Sequence, residues 1–296
     1  MAPSSGRPPV LDNPRSDRVR RVAGLSGRSA RSRASAILVE GPQAVRELLI
    51  HRPASVRDVY ISGAARLAHP DIAGAARSAT RWVHAVTDEV AAALSADCQG
   101  VCAVASADAV EREWPADGGL YVLIAQGRDP GNAGTIIRTA DAMGARAVLT
   151  VAGTVDVTSP KVVRASAGSV FHLPVIPHPA FRAAVDALHA RGARVLGTSG
   201  GPHAVPLPEV EEDGALAEPH AWALGNEARG LDPDETAACD LLVAIPMTGL
   251  AESLNVASAA AVCLYASQRA LGAGRPADAV DGHGGARAGT VVRWHD

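Results

Sequence analysis

Ile245 to Tyr265 reads IPMTGLAESLNVASAAAVCLY. Proline, glycine, serine and asparagine crowd its first half, and alanine, valine and leucine fill the second. A loop therefore feeds an apolar helix, which the pattern places over 253–270 and buries on nearly every side. Polar side chains at the mouth of such a helix (Ser253, Leu254 and Asn255 open it) are costly unless something bonds to them. Two upstream segments share this design. Asn132 to Ala145 reads NAGTIIRTADAMGA, and Leu224-Gly225-Asn226-Glu227 forms a second glycine turn. Each puts small residues and uncharged polar groups at the end of an apolar run, which is how an α/β protein presents itself to a ligand.

Working outward, Leu120–Ala125 and Ala147–Val151 read as strands that are apolar without interruption, as expected when helices cover both faces. Strands are also expected near 173–176, 194–198, 221–225 and 241–245, with helices over 132–143, 161–167 and 181–190. Asp129 or Asn132 is placed to cap the first of these helices, and the free N–H groups there favour an anion. The turn lacks the G-x-G-x-x-G spacing of dinucleotide folds. Before Leu120, strands at 36–40, 56–61, 82–86 and 100–105 alternate with helices at 43–50, 70–78 and 88–95, implying a compact three-layer unit.

These patterns divide the chain into a disordered basic arm over 1–18, a first unit over 19–105, a linker over 106–118, a second unit over 119–271 and a disordered tail over 272–296. Arginines crowd the beginning: Arg7, Arg15, Arg18, Arg20, Arg21, Arg28, Arg31 and Arg33. Such an arm either attracts phosphate or is simply solvated. A formal charge of −3 argues against a wholly basic nucleic-acid binder, and with aromatics at only 3% the core must be aliphatic. Cys98, Cys102, Cys239 and Cys263 form no C-x-x-C pair and have no histidine at ligand spacing, so a reducing cytoplasm fits and no metal is suggested. No run approaches the roughly 18 apolar residues of a membrane span.

Alone, Arg138 reads as a surface arginine, Glu227 as an exposed carboxylate after a turn, and Asn255 as a helix cap. Together the three segments resemble the signature motifs of the SpoU/TrmH family of RNA ribose 2′-O-methyltransferases, in the SPOUT class. Asn132-Ala133-Gly134 through Arg138-Thr139-Ala140 and Gly144 resembles the first motif, and Leu224 to Glu227 with Gly230-Leu231 the second. Ile245-Pro246-Met247, Gly249 and Ser253-Leu254-Asn255-Val256 resemble the third. Val39-Glu40-Gly41-Pro42 and the helix after it look like the start of the family's ribosomal-protein-like RNA-binding module.

The resemblance implies an α/β fold: a parallel-sheet SPOUT domain tied in a deep trefoil knot, preceded by that small α/β module. It implies a homodimer and an S-adenosylmethionine pocket formed by backbone groups at Leu224, Gly225, Asn226, Ile245, Met247, Leu254 and Asn255. Arg138, Asn132, Glu227, Ser253 and Asn255 would carry catalysis, with no metal. Guanidinium holds its proton too tightly to serve as a base, so Arg138 is expected to bind the adjacent phosphate and stabilise alkoxide charge. Arg164 is expected either to meet a phosphate in the cleft or to lie on the surface. The expected substrate is 23S ribosomal RNA, with transfer RNA as the alternative. Rival readings are a small-molecule enzyme with a nucleotide cofactor, a non-catalytic RNA-binding protein keeping the fold, and a base methylase of another SPOUT branch.

Overall fold

Two short helices, α1 (Asp17–Ala23) and α2 (Arg28–Ala34), lead into strand β1 (Ala36–Glu40). The computed structural model describes residues 10–116, 118–226 and 229–273. The chain continues through α3 (Pro42–His51), β2 (Val56–Ser62), α4 (Gly63–Ala68), α5 (Pro70–Ala79), β3 (Val83–Val86), α6 (Asp88–Leu94) and β4 (Val101–Ser106). These strands make a mixed sheet of order β1-β4-β2-β3, antiparallel except for the β2–β3 pair. Side chains on a strand alternate between faces. Ile37 and Val39 accordingly pack with Val45 and Leu48 of α3 and Ile72 of α5, whereas Ala36 and Leu38 pack with Val19 of α1 and Val90 of α6.

The expected disordered arm over 1–18 ends sooner than that. Leu11 pairs with the β3 edge, its N–H donating to the Ala85 carbonyl at 2.9 Å, and Ser16 caps α1. The abundance of arginine conceals the apolar Val19, Val22 and Leu25 that hold this segment down. The portion of the arm over 1–9 lies outside the described residues, as does the tail from 274 onward. The expected linker over 106–118 is not a loose tether where it is described. Ala109 and Val110 are buried, and Trp114 lies edge-on to Tyr121.

Beyond it come β5 (Leu120–Ile124), α7 (Pro130–Ala142), β6 (Ala147–Val151), α8 (Pro160–Ala165), β7 (Val175–His178), α9 (Phe181–His189), β8 (Arg194–Thr198), β9 (Val205–Pro206) and α10 (Leu207–Glu212). Strand β10 (His220–Leu224), α11 (Pro233–Ala238), β11 (Leu241–Ala244) and α12 (Val256–Ala273) complete the order. The strands form a parallel sheet of order β7-β6-β5-β10-β8-β11-β9. The chain runs outward from β5 to β7, crosses to β8, and returns with β10 to the centre. Tyr121 and Leu123 face α9, while Leu120, Val122 and Ile124 face a core shared with Ile136 and Ile137 of α7 and with Cys263 and Leu264 of α12. Burying each large aliphatic side chain contributes about 1.5–3 kcal/mol.

This second core is continuous with the α3/α5 face of the smaller sheet. Polar ties reinforce the junction. Arg31, only 5% exposed, donates to Asp156 at 2.7 Å, and Arg52 donates to Glu111 at 2.6 Å.

Helix α12 departs from expectation in two ways. It begins at Val256 rather than Ser253, because Asn255 caps it from outside. It is also not buried all round: Val262 and Tyr265 are 40% and 54% exposed on one stripe.

Candidate active site

The carboxyl ends of β10, β8 and β11, three neighbouring strands, open onto one cavity of about 430 Å³. Parallel strands aim their ends at the same edge of the sheet, so segments distant in sequence converge there. The wall comes from Thr198–Gly201 at the end of β8, from Gly225, Asn226 and Arg229–Leu231 after β10, and from Ile245, Met247, Glu252–Leu254 and Val256 after β11. Gly225, Asn226, Ile245, Met247, Ser253 and Leu254 all line it. Met247 and Leu254 are each 41% exposed, apolar surface left open at the rim.

Close approach of backbone explains the glycine at 225. A Cβ there would lie 2.2 Å from the Gly230 carbonyl carbon and 2.3 Å from the Leu231 nitrogen. Asn226 and Gly230 close the loop with reciprocal backbone bonds, Asn226 N–H to Gly230 O at 2.9 Å and Gly230 N–H to Asn226 O at 2.8 Å. Gly230 permits this by adopting φ +69°. Asn226 and Gly230 are thus pinned to each other, and both line the cavity.

Asn255, expected in the pocket, does not line it; it stands between the lining residues Leu254 and Val256 and reaches α7 instead. Its Oδ1 accepts from the Ala257 and Ser258 N–H groups at 2.9 and 3.3 Å, capping α12, and its Nδ2 donates to Asn132 Oδ1 at 3.0 Å. Asn132 in turn lies in the first turn of α7, where Asp129 accepts its N–H at 2.7 Å as the cap. Pro130 opens the helix, and Gly134 lets it press on α8: a Cβ there would meet the Ala165 Cβ at 2.5 Å. Arg138 projects from the exposed face of α7, and its guanidinium has no hydrogen-bond or ion-pair partner among the described residues. It does not line the cavity of this chain.

Leu224 is placed differently from its expected role. It is fully buried at the end of β10, and its carbonyl accepts from the Ala125 N–H at 2.9 Å, so its backbone serves the sheet. Glu227 lies outside the described residues. Arg164 is not free to meet a phosphate: it is paired with Glu40, and with Asp97 at 2.7 Å. In the basic arm, Arg31 is internal and Arg18 leans on His84 at 3.3 Å. The polar turn Thr198-Ser199-Gly200-Gly201 escapes motif reading, although small residues directly after a strand were the available signal.

The SpoU rRNA Methylase family model matches residues 119–265. The crystal structure of the SpoU methyltransferase AviRb from Streptomyces viridochromogenes, in complex with the cofactor AdoMet, superposes with a TM-score of 0.73. It is 30% identical, with 88% of this chain and 100% of that one covered. The chain belongs to the SpoU rRNA methylase family. The structure of an AdoMet-bound rRNA methyltransferase from Sinorhizobium meliloti gives a TM-score of 0.75 at 26% identity, covering 89% and 98% of the two chains. The 23S rRNA (guanosine(2553)-2′-O)-methyltransferase RlmP of Bacillus subtilis is 42% identical over 146 residues, covering 49% of this chain and 56% of RlmP. A 23S rRNA (uridine(2479)-2′-O)-methyltransferase of Streptomyces viridochromogenes is 38% identical over 165 residues, covering 53% and 55%. The chain thus spans about half the length of these two curated SpoU relatives. Among the described residues, no helix is long and apolar enough to cross a membrane.

Proposed function

We propose that the chain is an S-adenosylmethionine-dependent RNA 2′-O-ribose methyltransferase acting on 23S ribosomal RNA. The observation that carries this is the convergence of the second and third motif segments on one cavity, with the Asn255–Asn132 contact joining the start of α12 to α7, which bears the first. The cavity suits the cofactor. Ile245, Met247 and Leu254 offer apolar surface to a purine, Thr198 and Ser199 offer hydroxyls, and the absent Cβ at Gly225 lets backbone come close. When bound, S-adenosylmethionine supplies a methyl group on an electrophilic sulfonium.

The protein's own part is positioning and charge. Backbone groups of the 225–231 loop and of Ile245, Met247 and Leu254 hold the cofactor. Asn255 fixes the Asn132 amide, which orients the ribose. Ser253 hydrogen-bonds at the cavity lip, and Glu227 orients the loop or the arginine. Arg138 would bring a permanent positive charge that binds the neighbouring phosphate and stabilises negative charge on the 2′-oxygen, while the hydroxyl proton leaves to solvent water rather than to the guanidinium.

The same reading includes a trefoil-knotted path for the 119–271 unit, a 19–105 unit that holds RNA, and a homodimer. The dimer is supported by the exposed stripe of Val262 and Tyr265 on α12, which packs beside α7 and its exposed Arg138. A second copy on this surface would bring Arg138 to a site completed by the other chain. A reducing, cytoplasmic setting suits the four free thiols.

The test is tritium transfer from labelled S-adenosylmethionine into RNA of a strain lacking this gene, followed by fractionation. Label in 23S RNA that disappears with Arg138→Ala is expected. Label confined to transfer RNA would replace the substrate. Cofactor binding with no label in any RNA would favour a non-catalytic RNA binder.

A further inference from the structure

Glu47 and His51 stand one turn apart on α3, so their side chains share a face. Opposite them, on the other side of the junction between the two sheets, is His172, which ends the 3-10 turn Ser169–Phe171. Glu47 Oε2 lies 3.5 Å from His51 Nε2 and 3.2 Å from His172 Nε2, and all three atoms fall within 4.8 Å of one another. The two imidazoles lie with ring centroids 4.3 Å apart and planes tilted by 53°. We propose that Glu47, His51 and His172 form a binding site for a divalent transition-metal ion, zinc foremost, that clips α3 to the methylase unit.

Three features make this more than a meeting of polar groups. The first is spacing. Zinc–nitrogen and zinc–oxygen bonds of about 2.0–2.1 Å in tetrahedral geometry put ligand atoms roughly 3.4 Å apart. The two gaps to Glu47 Oε2 already stand near that value, so an ion needs only small rotations of the rings. The second is orientation of the carboxylate. Glu47 Oε1 accepts from Gln43 Nε2 at 2.7 Å, which leaves Oε2 turned to both imidazoles.

The third is the outer partner. His172 Nδ1 lies 2.7 Å from Asp141 Oδ2, and since a carboxylate only accepts, this nitrogen carries the hydrogen. Without an ion Nε2 donates to Glu47 Oε2 at 3.2 Å; metal binding would release that proton and leave the carboxylate–histidine–metal arrangement of many zinc sites. Charge favours a cation as well. Glu47 and Asp141 bring two carboxylates, while Arg52 next door is drawn away by Glu111 and by the Phe171 carbonyl.

Backbone shape permits the approach. Gly168, at φ +94°, lies so close to α3 that a Cβ would meet the Glu47 Cβ at 2.5 Å. The His51 side chain is 44% exposed, so solvent reaches the trio and a water can fill a fourth position. None of the three residues lines the cavity after β10. The ion would therefore be structural, separate from methyl transfer, and the inference stands whether or not the RNA reading holds.

The experiment uses the full chain, treated with chelator and titrated with Co2+ followed by visible absorption, then with Zn2+ by calorimetry. One equivalent is expected, with d–d bands of low symmetry and no thiolate charge transfer, and zinc should raise Tm. His172→Ala and His51→Ala should each abolish the equimolar signal. Asp141→Asn should weaken binding by about 10–100-fold. A chain with Cys98 and Cys239 replaced by serine should bind as the parent does. If His172→Ala does not fold, His51→Gln on the solvent side serves in its place. Absence of an equimolar site, or undiminished binding in the His51 variants, would overturn the proposal and leave the trio as an ion-paired cluster.

Discussion

Asn255 donates from Nδ2 to Asn132 Oδ1 across 3.0 Å, while its own Oδ1 is occupied by the first N–H groups of α12. One amide thus caps a helix and orients the neighbouring amide. Asn255→Asp separates the two duties, since aspartate caps as well as asparagine but presents no donor. Stability should change by less than about 1 kcal/mol, while methyl transfer falls by about 5- to 150-fold, the worth of roughly 1–3 kcal/mol for a lost polar partner. Asn255→Ala should lose both, at about 0.5–2 kcal/mol of stability. Urea midpoints and initial rates on the same preparations check this. Parental rates in the Asp variant would reduce the contact to a local tie.

Gly225→Ala meets backbone rather than a flexible side chain, with the Gly230 carbonyl carbon at 2.2 Å from the new methyl. Overpacking of this kind costs about 1–3 kcal/mol. Taken from ligand binding, that is about 5- to 150-fold in the Kd for S-adenosylmethionine. Calorimetry should register the loss while circular dichroism shows the secondary structure intact. Unchanged affinity would mean that the 225–231 loop plays no part in holding the cofactor.

Arg164 reaches from α8 to two carboxylates of the smaller unit, and they are not equal. Glu40 is 5% exposed, whereas the Asp97 side chain is 57% exposed. Arg164→Ala leaves Glu40 buried without its cation, its remaining side-chain bond coming from Ser95 Oγ at 2.5 Å. The expected cost is about 3–5 kcal/mol. Asp97→Asn should cost no more than about 1 kcal/mol. Denaturant titration of the two variants compares them directly, and equal losses would show that burial does not decide the matter.

His220 links β10 to α12. Its Nδ1–H donates to the Glu218 carbonyl at 2.7 Å, so Nε2 accepts from the Ser267 hydroxyl, also at 2.7 Å, and Trp222 Nε1–H donates to the same oxygen at 2.8 Å. Burial, against the opposing pull of the Glu218 carbonyl, moves the imidazole below its usual 6.5. Below pH 6.5 the unfolded chain therefore binds this proton more readily than the folded one. The contribution to stability is full above pH 6.5 and is lost as pH falls toward the folded value. Unfolding free energy should decline with a slope of up to about 1.4 kcal/mol per pH unit from this residue. His220→Gln should flatten that part of the profile. Identical slopes in the two proteins would assign the acid sensitivity to other groups.

Much of the larger sheet was legible in the sequence because a strand covered on both faces is apolar throughout. Ala147–Val151 and Arg194–Thr198 fall where the apolar runs place them. Elements holding on by few apolar contacts were hidden. Helix α1 buries only Val19 and Val22 among its arginines, and α10 buries Leu207 and Val210 among glutamates. Edge strand β9 is two residues with a proline. Of the site, the loops bearing glycine, serine and asparagine could be read, since their composition reflects backbone conformation. The Glu47–His172 meeting could not, because spacing along a chain says nothing of residues joined by tertiary packing.

The core shared by the two sheets has a consequence for substrate choice. Arg31, Arg52 and Arg164 pair with carboxylates along one apolar seam between the units, so swivelling one unit against the other would have to break those pairs. If the smaller unit holds RNA as proposed, the fold would work as a calliper. A nucleic acid seated on the smaller jaw would present to the larger one only the nucleotide lying at the set span. Selection of the target would come from its three-dimensional separation from the gripping point rather than from the letters around it.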